Sequence, residues 1–215
     1  MIDIEAWLRE LDEEEDVDIK NNEEYQTKLF EEYVLRSTNH AEERKKLNTR
    51  YQNGEPVMGE HGLRKELAAF DLSYFGRAYL PHYFIRKSPH FHEELDEIWE
   101  KGVMKDLNPT KEARTISRMK GSRNVTAAPR GHAKSTNFTF KDDLHAILYG
   151  YKHYIIILSD SSEQAEGFLE DIKTELAENA NIIMDFGSLK GDKAWRSGVI
   201  LTSTNIKVEA IGSGK

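Results

Sequence analysis

The sequence predicts an α/β fold with a mostly parallel sheet and crossover helices, preceded by an α-helical amino-terminal region. Three observations predict it. In the first part of the chain apolar residues recur at helical spacing. From Ser122 onward, strand-like and helix-like segments alternate, the pattern of parallel strands joined by crossover helices. Between one strand candidate and one helix candidate stands "AAPRGHAKST", Ala127 to Thr136, which ends a loop with a Lys-Ser pair.

With 215 residues the chain is long enough to bury a sizeable core. At 38% hydrophobic and 32% charged, its composition is that of a soluble globular protein. No run of about 18 apolar residues occurs, so no membrane span is expected. The start, "MIDIEAWLRELDEEEDVD", is acidic where a secretory signal would be basic and then apolar, which places the chain inside a cell. It has no cysteine, so disulfides and thiolate metal sites are excluded, as fits a reducing compartment. A net charge of -8 argues against a protein that coats nucleic acid with its whole surface. The charge is uneven, however: residues 1–60 are acidic, and the balance reverses between Lys101 and Lys134.

Residues 1–60 read as an acidic helical region, with the main domain over 61–215. Tyr25, Leu29, Phe30, Tyr33 and Val34 mark one helix, and Leu63, Leu67, Phe70, Leu72 and Phe75 a second. "YQNGEPVMGEHG" separates them, because Gly and Pro are poor in regular elements. The acidic run Glu13 to Asp18 reads as a solvated face, with a docking surface for a basic partner as the alternative. Phe75 to Trp99 is dense in aromatics that are most simply core, although one could stack on a nucleotide base. Ser88 followed by Pro89 is a helix start. His90, His92 and Glu93 are metal-ligating types without a second ligand cluster, so packing or capping is the simpler role.

Arg123 to Ala128, "RNVTAA", is a buried-strand candidate, and "STNFTFKDDLHAILYG" a helix ended by Gly150. "YIIIL", Tyr154 to Leu158, is an apolar strand. The next helix places Ala165, Phe168, Leu169, Ile172 and Leu176 on one face, with Ser161 or Ser162 as cap. The tail "GVILTSTNIKVEAIGSGK" reads as a hairpin turning at Ser203 to Asn205.

In this setting the loop has the order of a phosphate-binding loop. Such a loop works because a strand ends, backbone N–H groups converge on one oxyanion, and a helix begins there. Lys134 supplies a point charge for the phosphates and Ser135 a ligand for Mg2+. The pattern G-x-x-x-x-G-K-[ST] would want Gly at Ala128 and Ala133, whereas only Gly131 lies inside the loop. Ala133 is expected to sit in a helical first turn without strain, and Ala128 asks for a different turn. An ordinary strand-to-helix turn with a solvated lysine is the alternative.

"PRGHAKST", with Arg130 four residues before Lys134, resembles the deviant Walker A motif of the large terminase subunits of tailed bacteriophages, the motors that pump DNA into procapsids. "YLPHYF" and "PHFHEELDEIW" before the loop agree, as do "IIILSDSSEQAEGFLEDIKTELAENANI", "FGSLKGDKAW" and "VEAIGSGK" after it. The resemblance covers about Phe75 to Lys215 and not the acidic first sixty residues. It implies a P-loop NTPase of the additional-strand, RecA-like class with ATP and Mg2+ as cofactors. Pro129, Arg130, Gly131, His132, Ala133, Lys134, Ser135 and Thr136 would bind nucleotide, Lys134 on the phosphates and Ser135 on magnesium. Arg130 would trigger hydrolysis.

The family's Walker B acidic pair is not found. "IIILSD" imitates it at Asp160 without a following acidic pair, so Asp160 and Ser159 read as a loop and cap element. Family order places the true pair beyond Lys215, together with a nuclease domain, so the ATPase domain is expected to be incomplete here. The implied partners are double-stranded DNA, held through its backbone, the small terminase subunit and the portal, with assembly into a homo-oligomeric ring. The implied location is the cytoplasm of the infected bacterial host, with transient docking on the procapsid. Lys101, Lys105, Lys111, Arg114, Arg118, Lys120 and Arg123 are candidates for phosphate contacts, or else a solvated basic loop. A small-molecule phosphotransferase and a non-catalytic module with a vestigial loop stay open as alternatives.

Overall fold

The computed structural model describes residues 22–37, 39–103, 123–127 and 129–214. In α1 (Glu23–Val34) the Asn22 side chain caps the helix by accepting from the Tyr25 N–H at 2.9 Å. Tyr25, Leu29, Phe30, Tyr33 and Val34 are all buried, as their spacing predicts. The strongly charged α2 (Ala41–Gln52) buries only Arg44 and Leu47. Both helices pack on α3 (Leu63–Ala68) and α1 also on α4 (Leu72–Tyr79), so the apolar core runs on past position 60 without a break. The single helix expected over Leu63 to Phe75 is in fact these two. Asp71 breaks it: in extended conformation, its carboxylate accepts from the Tyr74 N–H at 2.8 Å and starts α4 afresh.

α5 (His90–Val103) follows Ser88-Pro89 as expected, the Pro89 carbonyl accepting from the His92 N–H at 2.9 Å. The helix after the loop starts at Lys134, turns into a π-helix over Thr136–Asp142 and continues as α6 (Asp143–Leu148), ending before Gly150 at φ +69°. The sequence pattern called for an α-helix here. The wider turn lets Asn137, Phe140, Lys141 and Asp142 all face inward.

A four-stranded sheet has the order β1 (Tyr154–Ser159), β4 (Lys207–Gly212), β3 (Val199–Leu201), β2 (Ala194–Trp195). β1 and β4 are parallel, whereas β4–β3 and β3–β2 are antiparallel. The fold is therefore mixed α/β, and the expectation of a mostly parallel sheet is corrected. The chain returns to β1 through a hairpin turning at Asn205, φ +63°, and hairpin neighbours must be antiparallel. α7 (Ser162–Glu178), capped by the Ser161 hydroxyl, covers one sheet face against Ile155, Ile157 and Val208. The opposite face exposes Tyr154, Ile156 and Leu158.

The expected strand at Arg123 to Ala128 is also corrected. Residues 123–127 have no regular structure, Val125 is 98% exposed, and Ala128 lies outside the described residues. A strand needs paired backbone and buried side chains to offset its ordering cost, and among the described residues this segment pairs with no strand and buries no side chain. The acidic run at Glu13 to Asp18 lies outside the described residues too. Among the described residues, no helix is long and apolar enough to cross a membrane.

α8 (Ala180–Phe186) returns the chain from the sheet layer to the helical layer. There the wholly buried Arg64 of α3 grips Asp185 of α8 with Nε and Nη2, each at 2.8 Å. Tyr79 donates to the same carboxylate at 2.5 Å, and the Gly59 N–H at 2.9 Å. Arg64→Met keeps the volume but strands a buried carboxylate, so it should lower the unfolding free energy by about 3–5 kcal/mol in urea titration. A loss under about 1 kcal/mol would show that this pair does not fasten the two layers.

Candidate functional site

The segment 129–136 turns back on itself before the helix. Gly131 has φ +80° and Ala133 φ +50°, both left-handed. The chain is helical from Lys134 on, and the Lys134 ammonium donates to the Pro129 carbonyl at 2.7 Å, closing the loop across its mouth. Ala133 was expected to join the helix without strain; instead it takes the conformation for which the motif normally uses glycine. A non-glycine residue there costs about 1–2 kcal/mol. The short return from Pro129 to Lys134 needs a second left-handed residue, which is the physical reason for the difference.

Pro129, Arg130, Gly131, His132, Ala133 and Ser135 are exposed, while Lys134 and Thr136 are half-buried. The loop thus brings together Pro129 and Lys134 through their hydrogen bond, and Arg130 and His132 through the His132 Nδ1 contact to the Arg130 carbonyl at 3.1 Å. An exposed backbone turn with one cation at its mouth suits an oxyanion. For a magnesium ion Ser135 offers one hydroxyl oxygen, so most of its ligands would have to come from elsewhere. Among the described residues there is no group of three or more ligating side chains that could hold a metal by itself.

His90 pairs with Glu94 at 3.3 Å. His92 turns inward instead, with Nε2 3.2 Å from the His132 carbonyl and 3.4 Å from the Asn137 amide nitrogen. Asn137 itself donates to the Ala133 carbonyl from both its backbone, at 2.9 Å, and its side chain, at 3.0 Å. The Phe91 ring lies 5.6 Å from that of His132. Lys101 pairs with Glu97 at 3.0 Å and Arg123 is exposed, while Lys105, Lys111, Arg114, Arg118 and Lys120 lie outside the described residues. Asp160 is exposed, and its carbonyl accepts from Ser213.

Beneath the loop the π-helix carries charges that the sequence reading did not single out. Buried Lys141 reaches Asp96 of α5 at 2.5 Å and Asp142 at 3.7 Å. Both Asp142 oxygens lack a hydrogen-bond partner among the described residues. Burial raises the Asp142 carboxyl to about 7, against the opposing pull of Lys141. Burial also lowers His145 to about 3, and its neutral ring donates to the Ala68 carbonyl. Polar residues inside an otherwise apolar helical stripe are the signal that could have found Asn137, Lys141 and His145.

Two predictions follow from these strains. Ala133→Gly should raise the unfolding free energy by about 0.5–1 kcal/mol, whereas Gly131→Ala should lower it by about 1 kcal/mol although its Cβ meets nothing within 4 Å. Equal effects of the same sign would refute the left-handed assignment. For Asp142, a folded-state value above the unfolded one means stability that is present at low pH and lost as pH rises through about 7. Asp142→Asn should then match the unmodified protein near pH 4 and exceed it at pH 8, by an amount on the order of 2–4 kcal/mol. A difference independent of pH would count against this. Compared with known proteins, the chain matches no family model, no curated protein and no solved structure.

Proposed function

We propose that this chain carries the nucleotide-binding part of an ATP-driven DNA packaging motor of the terminase type, with 129–136 as its phosphate-binding loop. The observation that carries this is the backbone of the loop: two left-handed residues, Gly131 and Ala133, immediately before a helix whose first residue is the lysine of the motif. The deviant sequence thus adopts at Ala133 the left-handed conformation for which the standard pattern uses glycine. The order that follows, a helix after the loop and then β1 and α7, supports the reading.

Within this function the loop residues divide the work. The Lys134 ammonium, held 2.7 Å from a carbonyl, would exchange that partner for phosphate oxygens and neutralise charge already present before reaction. Ser135, exposed at the start of the helix, would help hold a magnesium ion, which would supply positive charge against the phosphates. Arg130, exposed on the rim, would stabilise charge that shifts during transfer, the task for which a planar guanidinium is better shaped than an ammonium. Coupled to a ring of like subunits, such turnover would move double-stranded DNA gripped by its phosphates, and therefore without regard to sequence. The small terminase subunit and the portal would be the protein partners, and a nuclease domain would belong to the complete motor.

A second reading, a non-catalytic interaction module with a vestigial loop, is favoured by the exposed and irregular Arg123 to Ala127, because a phosphate-binding loop is normally anchored by a strand. Calorimetry with magnesium and ATP decides between them. For the motor, the chain binds ATP, Lys134→Ala weakens binding at least about a hundredfold, and Arg130→Ala leaves it within about tenfold. In the complete motor polypeptide Arg130→Ala should cut single-turnover hydrolysis by about a thousandfold or more. No measurable affinity in the unmodified chain sinks the motor, and an Arg130→Ala motor that still turns over normally makes Arg130 a surface residue of the turn.

A further inference from the structure

We propose that His92, at the first turn of α5, is a positioning residue for the phosphate-binding loop: its imidazole holds the His132 carbonyl inward and thereby aims the Ala133 N–H outward at the anion. The proposal rests on 129–136 being that loop.

His92 is 9% exposed, and its Nε2 lies 3.2 Å from the His132 carbonyl oxygen and 3.4 Å from the Asn137 side-chain nitrogen. One ring nitrogen carries either a proton or a lone pair, so it serves one of these partners. The His132 carbonyl can only accept. The Asn137 amide can only donate from that nitrogen, and it already donates to the Ala133 carbonyl at 3.0 Å. The shorter contact and the partner's need both place the proton on Nε2, donating to His132.

The consequence follows from peptide geometry. A trans peptide unit is planar, with its C=O and N–H pointing to opposite sides. The carbonyl of His132 and the N–H of Ala133 belong to one such unit. Pinning the carbonyl to a buried side chain therefore turns the N–H to the exposed side of the loop, the side from which a phosphate would approach. Ala133 has no glycine's freedom at φ +50°, so without the anchor this peptide would be free to rotate into a more ordinary conformation. The ring of Phe91, packed 5.6 Å from that of His132, braces the same residue from the same turn of α5. α5 and the loop are thus coupled through one hydrogen bond that a glycine-rich loop would not require.

Three variants separate positioning from bulk packing. His92→Gln carries a donor at about the place of Nε2, His92→Asn is too short to reach, and His92→Phe keeps the ring without the donor. Two readouts are used: ATP affinity by calorimetry, and the rate of tryptic cleavage after the exposed Arg130 without nucleotide. His92→Phe and His92→Asn should weaken ATP binding by about tenfold, the loss of one buried hydrogen bond, and be cleaved several-fold faster. His92→Gln should stay within about threefold of the unmodified protein on both. The proposal is overturned if Gln and Asn variants behave alike, or if His92→Phe changes neither readout. Should the unmodified protein bind no ATP, the motor reading falls, and the cleavage rates alone still decide whether His92 holds the loop.

Discussion

The buried fork of Arg64 on Asp185 is the constraint around which the molecule is arranged. It joins residues 121 positions apart in sequence and draws Tyr79, Asn181 and the Gly59 backbone into one network. A guanidinium and a carboxylate with no exposure cannot be left half-satisfied, because each unpaired charge would cost several kcal/mol. α3, α4 and α8 must therefore meet at one register. α8 follows directly on α7, and α7 covers the sheet, so the orientation of the helical layer relative to β1 and β4 is set through the same pair. α1 and α2, which pack on α3, are consequently seated on the same layer.

The loop is placed by the helical layer more than by the sheet. Among the described residues no strand leads into it, and its anchors come from α5 through His92, from its own Lys134, and from the helix that follows through Asn137. Beneath it, the ion pair of Lys141 with Asp96 ties the π-helix to α5. A π-turn is rare because its hydrogen bonds are less favourable than those of an α-helix, and it persists where packing requires it. Here it lets Lys141 turn inward to the carboxylate of α5, beside the Phe84 ring at 5.6 Å. The site thus stores strain at Ala133, in the π-turn and at Asp142, whose oxygens have no hydrogen bond among the described residues, and the surrounding core offsets it.

Where local physics decided, the sequence was sufficient. The cap and apolar face of α1, Ser161 before α7, the start of α5 after Ser88-Pro89, the stop at Gly150 and the hairpin at Asn205 are all written in residues within a turn or two of each other. A side chain that caps, a stripe at period 3.6 and a glycine at positive φ act over a few residues and need no distant partner. The loop could be picked out for the same reason, since Lys134, Ser135 and the following helix are adjacent in the chain.

What only the tertiary structure decided depends on contacts across tens of residues. Strand alternation suggested parallel neighbours, yet the hairpin places β3 beside β4 in antiparallel pairing, and Arg123 to Ala127 finds no partner among the described residues. The π-turn after Ser135 arises because buried side chains outweigh local helix propensity. Arg64, Asp185, Asp96 and Lys141 look like surface charges in one dimension, and only their mates from other elements make burial affordable. His92 could be marked as a polar residue near a helix start, but its bond to the loop 40 residues later exists only because the fold brings α5 beneath it.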